Sequence, residues 1–276
     1  MHLLGLLMPV LAAAGWLYFI HQSDRYEKEP WPLVLRTAAA GAGAGIIGLG
    51  LELFISTFVL GSAFTTGSAT GDALAVAAVM APAGLLGIAL AMTLVAFHNP
   101  NWNEPFDGLV YGGAAGIGYG LTYTIIALAQ GLQLGFRLAV FSIPLYMLVG
   151  ILLGHHASQA KFGRRRLAWW SWVRGLAVAG VVLWATQGAL ELGAQVVAGE
   201  NMLAAALAYL SNMLAWIIAL RAIHEGNDES HLNPDRGHLR LERAGCPHCG
   251  AGFPVGARYC IACGQPVGKT REASLS

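Results

Sequence analysis

Four cysteines in the C-terminal region have the spacing that most directly specifies chemistry. They form two C-x-x-C pairs, each followed by glycine: Cys246, Cys249, Cys260 and Cys263. Two such pairs joined by a short loop are typical of a tetrahedral zinc site, and the glycines let backbone N–H groups turn toward the thiolates. Because four thiolates fill the coordination sphere of one zinc ion, the predicted site is structural. We predict a small zinc ribbon with short β-strands over residues 244–268 and a tail over residues 269–276. Disulfides or a redox centre are the alternatives, and a cytoplasmic location argues against disulfides.

A second group of residues that could do chemistry is acidic. Glu104 and Asp107 lie in a polar loop that runs directly into an apolar stretch. Carboxylates at such a position could act as general acid and base or as metal ligands. Two adjacent histidines, His155 and His156, end another apolar stretch and could face this pair across a helical bundle. Anchoring at a membrane interface is the simpler interpretation of the histidines.

Two further acids, Glu52 and Glu191, lie inside apolar stretches. A carboxylate in a membrane interior is costly and is a functional hypothesis by default. The two residues are the charged candidates for the path of a channel or transporter. A partly hydrated structural position toward the outer surface is the alternative.

The amino-acid composition indicates which class of protein carries these groups. Of the 276 residues, 56% are hydrophobic and 11% are charged, with a mean hydropathy of +0.57. These values exclude an ordinary soluble domain. Seven apolar stretches are each long enough to cross a bilayer: residues 3–21, 33–60, 73–97, 108–130, 136–155, 170–192 and 202–223. The predicted fold is an all-α polytopic membrane protein with about seven transmembrane helices over residues 1–223, the first of them retained, and a polar linker over residues 224–243.

The distribution of Lys and Arg predicts the orientation in the membrane. These residues occupy the loops after the first and fifth stretches and the region beyond the seventh, while the alternate loops hold almost none. The positive-inside rule then places the N-terminus outside and the zinc ribbon in the cytoplasm, across the cytoplasmic (inner) membrane. Since the formal net charge is +1, no nucleic-acid partner is expected. The expected partners are the lipid bilayer and a protein, either a transmembrane helix or a cytoplasmic protein.

Glycine recurs at every fourth position in the stretch that follows the acidic loop, at Gly108, Gly112, Gly116 and Gly120. This spacing places all four on nearly one face of an α-helix and allows a neighbouring backbone to approach closely. The face is either a packing seam within the bundle or a groove for a guest helix.

Two segments combine acidic residues with a proline: Asn103-Glu104-Pro105-Phe106-Asp107-Gly108-Leu109-Val110-Tyr111-Gly112 and, upstream, Asp24-Arg25-Tyr26-Glu27-Lys28-Glu29-Pro30. Together they resemble the signature of the PrsW-type intramembrane proteases. The positions that carry the resemblance are Asp24, Glu27, Glu29, Pro30, Asn103, Glu104, Pro105, Asp107, Gly108, Tyr111 and Gly112. The resemblance covers roughly residues 10 to 220 and implies peptide-bond hydrolysis within the membrane by glutamates and histidines on helices.

The residues expected to carry that chemistry are replaced. Where the resemblance calls for a glutamate pair and a lysine on the third stretch, the chain has Leu85, Leu86 and Ala89, and Tyr123-Thr124 replaces a Glu-Asn pair. Its histidines lie at stretch ends, in loops or in the C-terminal region. We therefore predict no catalytic residue and a pseudoprotease scaffold that binds a protein partner, with the ribbon as docking module. The alternative is an active intramembrane metalloprotease that cleaves a membrane-anchored regulatory protein.

The first polar loop, from Asp24 to Pro32, has two interpretations. Its charged residues could form a solvated turn at the membrane surface, with the prolines setting the entry to the next helix. They could instead dock against the loop of Glu104 and Asp107, which the orientation places on the same side.

Overall fold

The computed structural model describes residues 3–60, 69–129, 135–162, 168–196, 202–230, 244–253, 259–260 and 262–267. These residues form seven long helices and a small module that contains the four cysteines. The helices are α1 (Leu3–Ser23), α2 (Trp31–Phe54), α3 (Ala69–Met92), α4 (Pro105–Ala129), α5 (Gly135–Phe162), α6 (Ala168–Val196) and α7 (Met202–Glu229). Helices α2 and α3 continue as π-helical segments over Ile55–Leu60 and Thr93–Phe97. The prediction of a mostly helical chain is confirmed.

The outward surface of the bundle is apolar, as expected for a helix that faces lipid. Large side chains such as Ile47 and Leu94 are 74% and 79% exposed. Among the described residues, Trp31–Leu51 and Pro105–Ala129 are long and apolar enough to cross a membrane, and Ala81–Phe97 forms a shorter apolar helix. A polytopic membrane protein is consistent with these features, and the number of spans remains a prediction.

Helix α4 is the centre of the bundle and packs against α1, α2, α3, α5 and α7. Every residue from Phe106 to Gly120 is buried. A methyl group at Gly112 would overlap the backbone carbonyl of Gly150, and one at Gly116 would overlap that of Tyr146, both in α5. On another side of α4, Gly118 meets the carbonyl of Ala38 in α2. The glycine face is therefore a packing seam between α4 and α5, and the expectation of a groove for a guest helix is wrong.

The polar end of the bundle is the end where α1, α5 and α7 finish and where α2 and α4 begin. Helix α7 reaches it through Glu229, so that residues 224–229, expected to start the linker, are helical. The reason lies in packing: Asn227 is buried and its amide donates to the carbonyl of Ser23 at 3.2 Å, while the Arg25 N–H donates to its Oδ1 at 3.2 Å. Residues 231–243 of the predicted linker lie outside the described residues.

The four-cysteine module (residues 244–267) contains two short pairings. Strands β1 (Ala244–Gly245) and β2 (Gly252–Phe253) pair antiparallel, and Tyr259 forms a single antiparallel bridge with Pro266. Gly250 and Gly264, which follow the two cysteine pairs, have φ of 74° and 67°. This left-handed conformation favours glycine, and it closes each C-x-x-C turn.

Candidate functional site

Three carboxylates from two distant segments meet at the polar end of the bundle. Asp24 and Glu29, from the loop between α1 and α2, each offer an oxygen atom within 4.8 Å of an oxygen of Asp107 in the first turn of α4. All three side chains are 3% exposed or less. We call these residues the acidic cluster. The two segments that carry the family resemblance are thus in contact, as in the docking interpretation of the first loop.

Asp107 holds the start of α4 in place. Its Oδ2 accepts hydrogen bonds from the backbone N–H groups of Asn103 at 2.6 Å and Glu104 at 2.7 Å. A carboxylate in the first turn that reaches back to these N–H groups satisfies donors that the helix leaves unpaired. Tyr111, one turn further along α4, donates its hydroxyl to Glu29. Asp107 and Glu29 therefore join the two loops through α4.

The loop between α1 and α2 has a fixed internal structure. Asp24 Oδ1 accepts the backbone N–H groups of Tyr26 at 3.0 Å and Glu27 at 3.2 Å, which is a typical Asx turn. The Lys28 ammonium donates to the carbonyls of Gln22, at 3.0 Å, and of Asp24. Asn103 Nδ2 lies 3.4 Å from Glu27 Oε2, which is a second link between the loops.

The C-terminal end of α7 contributes residues that the sequence did not single out. Ser230 is buried and donates its hydroxyl to Glu104 Oε2. With Asn227, it fixes the end of α7 against both motif loops. No local sequence pattern marks these two residues, because they lie in a polar segment that reads as a linker.

Burial is the main reason why the acidic residues of the two loops have raised pKa values. Desolvation raises the pKa of Asp24 to about 7, and it raises the pKa values of Glu29 and Glu104 to about 8. Burial also lowers the pKa of Lys28. Acids with such pKa values retain protons close to neutral pH, so that hydrogen bonding between carboxyl groups replaces charge repulsion.

The donor set of the acidic cluster does not fit a catalytic zinc ion. It consists of carboxylate oxygens, which suit Mg²⁺, Ca²⁺ and Mn²⁺, whereas catalytic zinc sites use imidazole or thiolate ligands with an open position. The arrangement is better suited to sharing protons between two loops and to holding the start of α4.

The raised pKa values predict a stability that falls with increasing pH. Between about pH 4.5 and 8 the folded chain binds more protons at Glu29 and Glu104 than the unfolded chain, so that the free energy of unfolding decreases by up to about 1.4 kcal/mol per pH unit for each group. Titration with a denaturing detergent at pH 5, 6, 7 and 8 measures this slope. Glu29→Gln cannot ionise and should flatten the slope relative to the unmodified chain. A Glu29→Gln slope equal to that of the unmodified chain would refute the assignment.

The histidine pair contacts other groups. His155 Nε2 lies 2.9 Å from the Gln159 amide nitrogen and 4.0 Å from Glu225 Oε2, and His156 Nδ1 lies 3.3 Å from Gln159 Oε1. Among the described residues, the metal-ligating groups near Asp107 include no histidine. The alternative in which these histidines face the acidic pair is therefore not supported, because their ring nitrogens contact Gln159 beside them in α5 and Glu225 in α7.

The helix interior near the replaced family positions contains hydroxyl and amide groups. Gly84 and Gly87 of α3 face the rings of Tyr146 and Tyr119, respectively, and Leu85 faces Gly180 of α6. Gln187 Nε2 donates to the Tyr146 hydroxyl at 2.6 Å. The side chains of Glu52 and Glu191 lie outside the described part of the structure.

The four cysteines form a cluster with the dimensions of a zinc site. Their sulfur atoms lie within 4.8 Å of one another. The Sγ atoms of Cys246 and Cys263 are 3.8 Å apart, and those of Cys249 and Cys260 are 3.6 Å apart. Since a Zn–S bond is about 2.3 Å, the edge of a ZnS₄ tetrahedron is about 3.8 Å. The N–H groups of His248 and Ala262 each lie 3.4 Å from a thiol sulfur, as predicted for C-x-x-C turns. The cluster is consistent with a structural zinc site.

The chain is similar to the protease PrsW of Geobacillus kaustophilus (strain HTA426), with 24% identity over 164 residues, or 59% of this chain and 69% of that protein. It is also similar to the protease PrsW of Clostridioides difficile (strain 630), with 25% identity over 161 residues, or 56% of this chain and 64% of that protein, slightly less than two thirds of its length. No family model and no solved structure gives a significant match. The two relatives support a PrsW-like family and the membrane character of this chain.

Proposed function

We propose that this chain is a non-catalytic membrane scaffold of PrsW-like architecture that binds a protein partner at its polar end. The observation that carries the proposal is the position of its ligating groups. Among the described residues, the two groups that could hold a metal ion are the acidic cluster at the polar end and the four cysteines. The helix positions at which the family resemblance calls for glutamates carry Leu85 and Leu86 instead.

In this proposal the acidic residues of the two motif segments have structural roles. Asp107 caps α4, Glu29 accepts a hydrogen bond from Tyr111, and Asp24 shapes the first loop. These contacts maintain the polar end as a rigid surface without requiring any group to activate water. The seven-span topology, the cytoplasmic position of the polar end and the zinc ribbon as docking module belong to the same proposal.

A second candidate function is an active metalloprotease with a relocated site. The convergence of three buried carboxylates, Asp24, Glu29 and Asp107, is the observation that favours it. In that case a divalent cation on these oxygens would supply a polarised water, and Asp107 would be essential for cleavage.

Photo-crosslinking in cells separates the two candidates. A benzoylphenylalanine in place of Arg25, which is exposed in the first loop, should capture the partner, while one at Ile47 on the apolar outer surface is the control. If the chain is a scaffold, the captured partner should have the same full length whether the unmodified chain or the Asp107→Asn variant is used. A captured partner that is shortened by the unmodified chain but not by the Asp107→Asn variant would establish the protease. Failure of the Arg25 position to capture any protein would contradict the scaffold.

A further inference from the structure

The four-cysteine module lies directly on the first polar loop. The backbone N–H of Tyr259 donates to Glu27 Oε1 at 3.1 Å, and the Tyr259 hydroxyl donates to Asn101 Oδ1 at 3.1 Å. Tyr259 precedes Cys260, so these contacts come from the second cysteine pair. One residue of the module thus bonds to the loops on both sides of the acidic cluster.

The loop also completes the small apolar core of the module. The buried sulfurs of Cys246 and Cys260 pack against Ala251, Cys263 and Val267, and the remaining member of that cluster is Tyr26 from the first loop. On the same side, a methyl group built on Gly264 would lie 3.9 Å from Lys28 Cβ, which places the second cysteine turn over the Lys28 side chain.

Metal binding and docking must therefore be linked. A module of about 25 residues with so few apolar contacts depends on its metal for folding. Without the metal, Tyr259 and the turn at Gly264 lose the conformation that places them on the loop. Burial supports the contact, since Lys28 is 6% exposed and Glu27 is 3% exposed.

We propose that the four-cysteine module is a zinc-dependent cap on the first polar loop, and that release of zinc uncovers Tyr26, Glu27 and Lys28 beside the acidic cluster. The chain would thereby make its polar end accessible in response to zinc availability. The cap rests on the predicted zinc site, and it holds whether the partner of the polar end is bound or cleaved.

Acetylation of lysine provides a direct test, because the sequence contains only Lys28, Lys161 and Lys269. The full-length chain in lipid nanodiscs is treated with an N-hydroxysuccinimide acetate, with zinc and after removal of zinc by a chelator, and each lysine is quantified by mass spectrometry. Lys161 is the internal control, since its ammonium donates to the Phe97 carbonyl at 2.6 Å and lies over the rings of Phe97 and Trp102.

The cap predicts that Lys28 reacts at least about tenfold faster without zinc, that added zinc reverses the change, and that the Lys161 rate stays constant. In the Tyr26→Ala variant, Lys28 should be acetylated rapidly even with zinc bound. This substitution removes the packing of the loop against the module and leaves all four thiols in place. The His248→Ala variant, changed at an exposed position of the first cysteine turn, should show the same Lys28 acetylation rates as the unmodified chain. Equal Lys28 rates with and without zinc, or a zinc-bound Tyr26→Ala chain as slow as the unmodified one, would overturn the proposal.

Discussion

Replacing Gly112 by alanine is expected to destabilise the bundle by about 3 kcal/mol, although alanine is the better helix former. The added methyl group would overlap the backbone carbonyl of Gly150, and a backbone carbonyl cannot move to another rotamer. Helices α4 and α5 must therefore separate along their shared seam, which also includes Gly108 with Gly154 and Gly116 with Tyr146. Detergent-induced unfolding and the yield of monodisperse protein measure the loss.

Two glycines provide matched controls for this substitution. Gly113, the next residue of α4, faces the side-chain atoms of Ile20 and Ile151 at 3.1 Å and 3.3 Å, which can shift by rotation. Gly43 of α2 has no atom within 4 Å of an added methyl group. Gly113→Ala should thus be close to neutral and Gly43→Ala should stabilise the chain by up to about 1 kcal/mol. Equal stability of the Gly112 and Gly113 variants would show that the seam is not closely packed.

The helices could be predicted from the sequence because the length of an apolar stretch is a local property. The boundaries agree with the structure to within a few residues for most elements, and the stretch at 33–60 corresponds to α2 followed by a π-helical segment at Ile55–Leu60. The end of α7 was missed, since Asn227 and Ser230 are polar and only their contacts with Arg25 and Glu104 make them part of the bundle.

The acidic cluster could be predicted only in part. The sequence indicates that the loops of Asp24 and Asp107 share one side of the membrane, which makes contact between them possible. It does not determine whether the carboxylates meet or remain in water, because that depends on how closely α1, α2 and α4 approach. Glycine packing of α4 against both α2 and α5 decides the outcome, and it brings the beginning of α4 under the first loop.

The docking of the cysteine module was not predicted, for a similar reason. The cysteine spacing is a local signal and indicates the metal site directly. Tyr26 and Tyr259 carry no such signal, as aromatic residues are common at membrane surfaces and in small zinc modules alike. The role of Tyr259 follows only from the positions of Glu27 and Asn101, and that of Tyr26 only from its packing against the cysteine cluster.

The metal content of the chain is expected to depend entirely on the cysteines. The S–S separations of 3.6–3.8 Å match a ZnS₄ tetrahedron, so we expect one tightly bound zinc ion per chain. Changing Cys246, Cys249, Cys260 and Cys263 to serine should reduce this to zero, because serine hydroxyls do not replace thiolates as zinc ligands. The double variant Asp24→Asn, Asp107→Asn should retain one zinc ion, since its thiols are intact.

Elemental analysis of the purified full-length four-serine variant tests the non-catalytic scaffold most directly. The variant is equilibrated with zinc and manganese, then dialysed before the metal per chain is counted. The scaffold predicts no tightly bound metal, because the other group of possible ligands in the described part of the chain consists of buried carboxyl groups that hold two loops together. One metal ion per chain that survives dialysis and disappears with Asp107→Asn would contradict the scaffold and locate a metal centre in the acidic cluster.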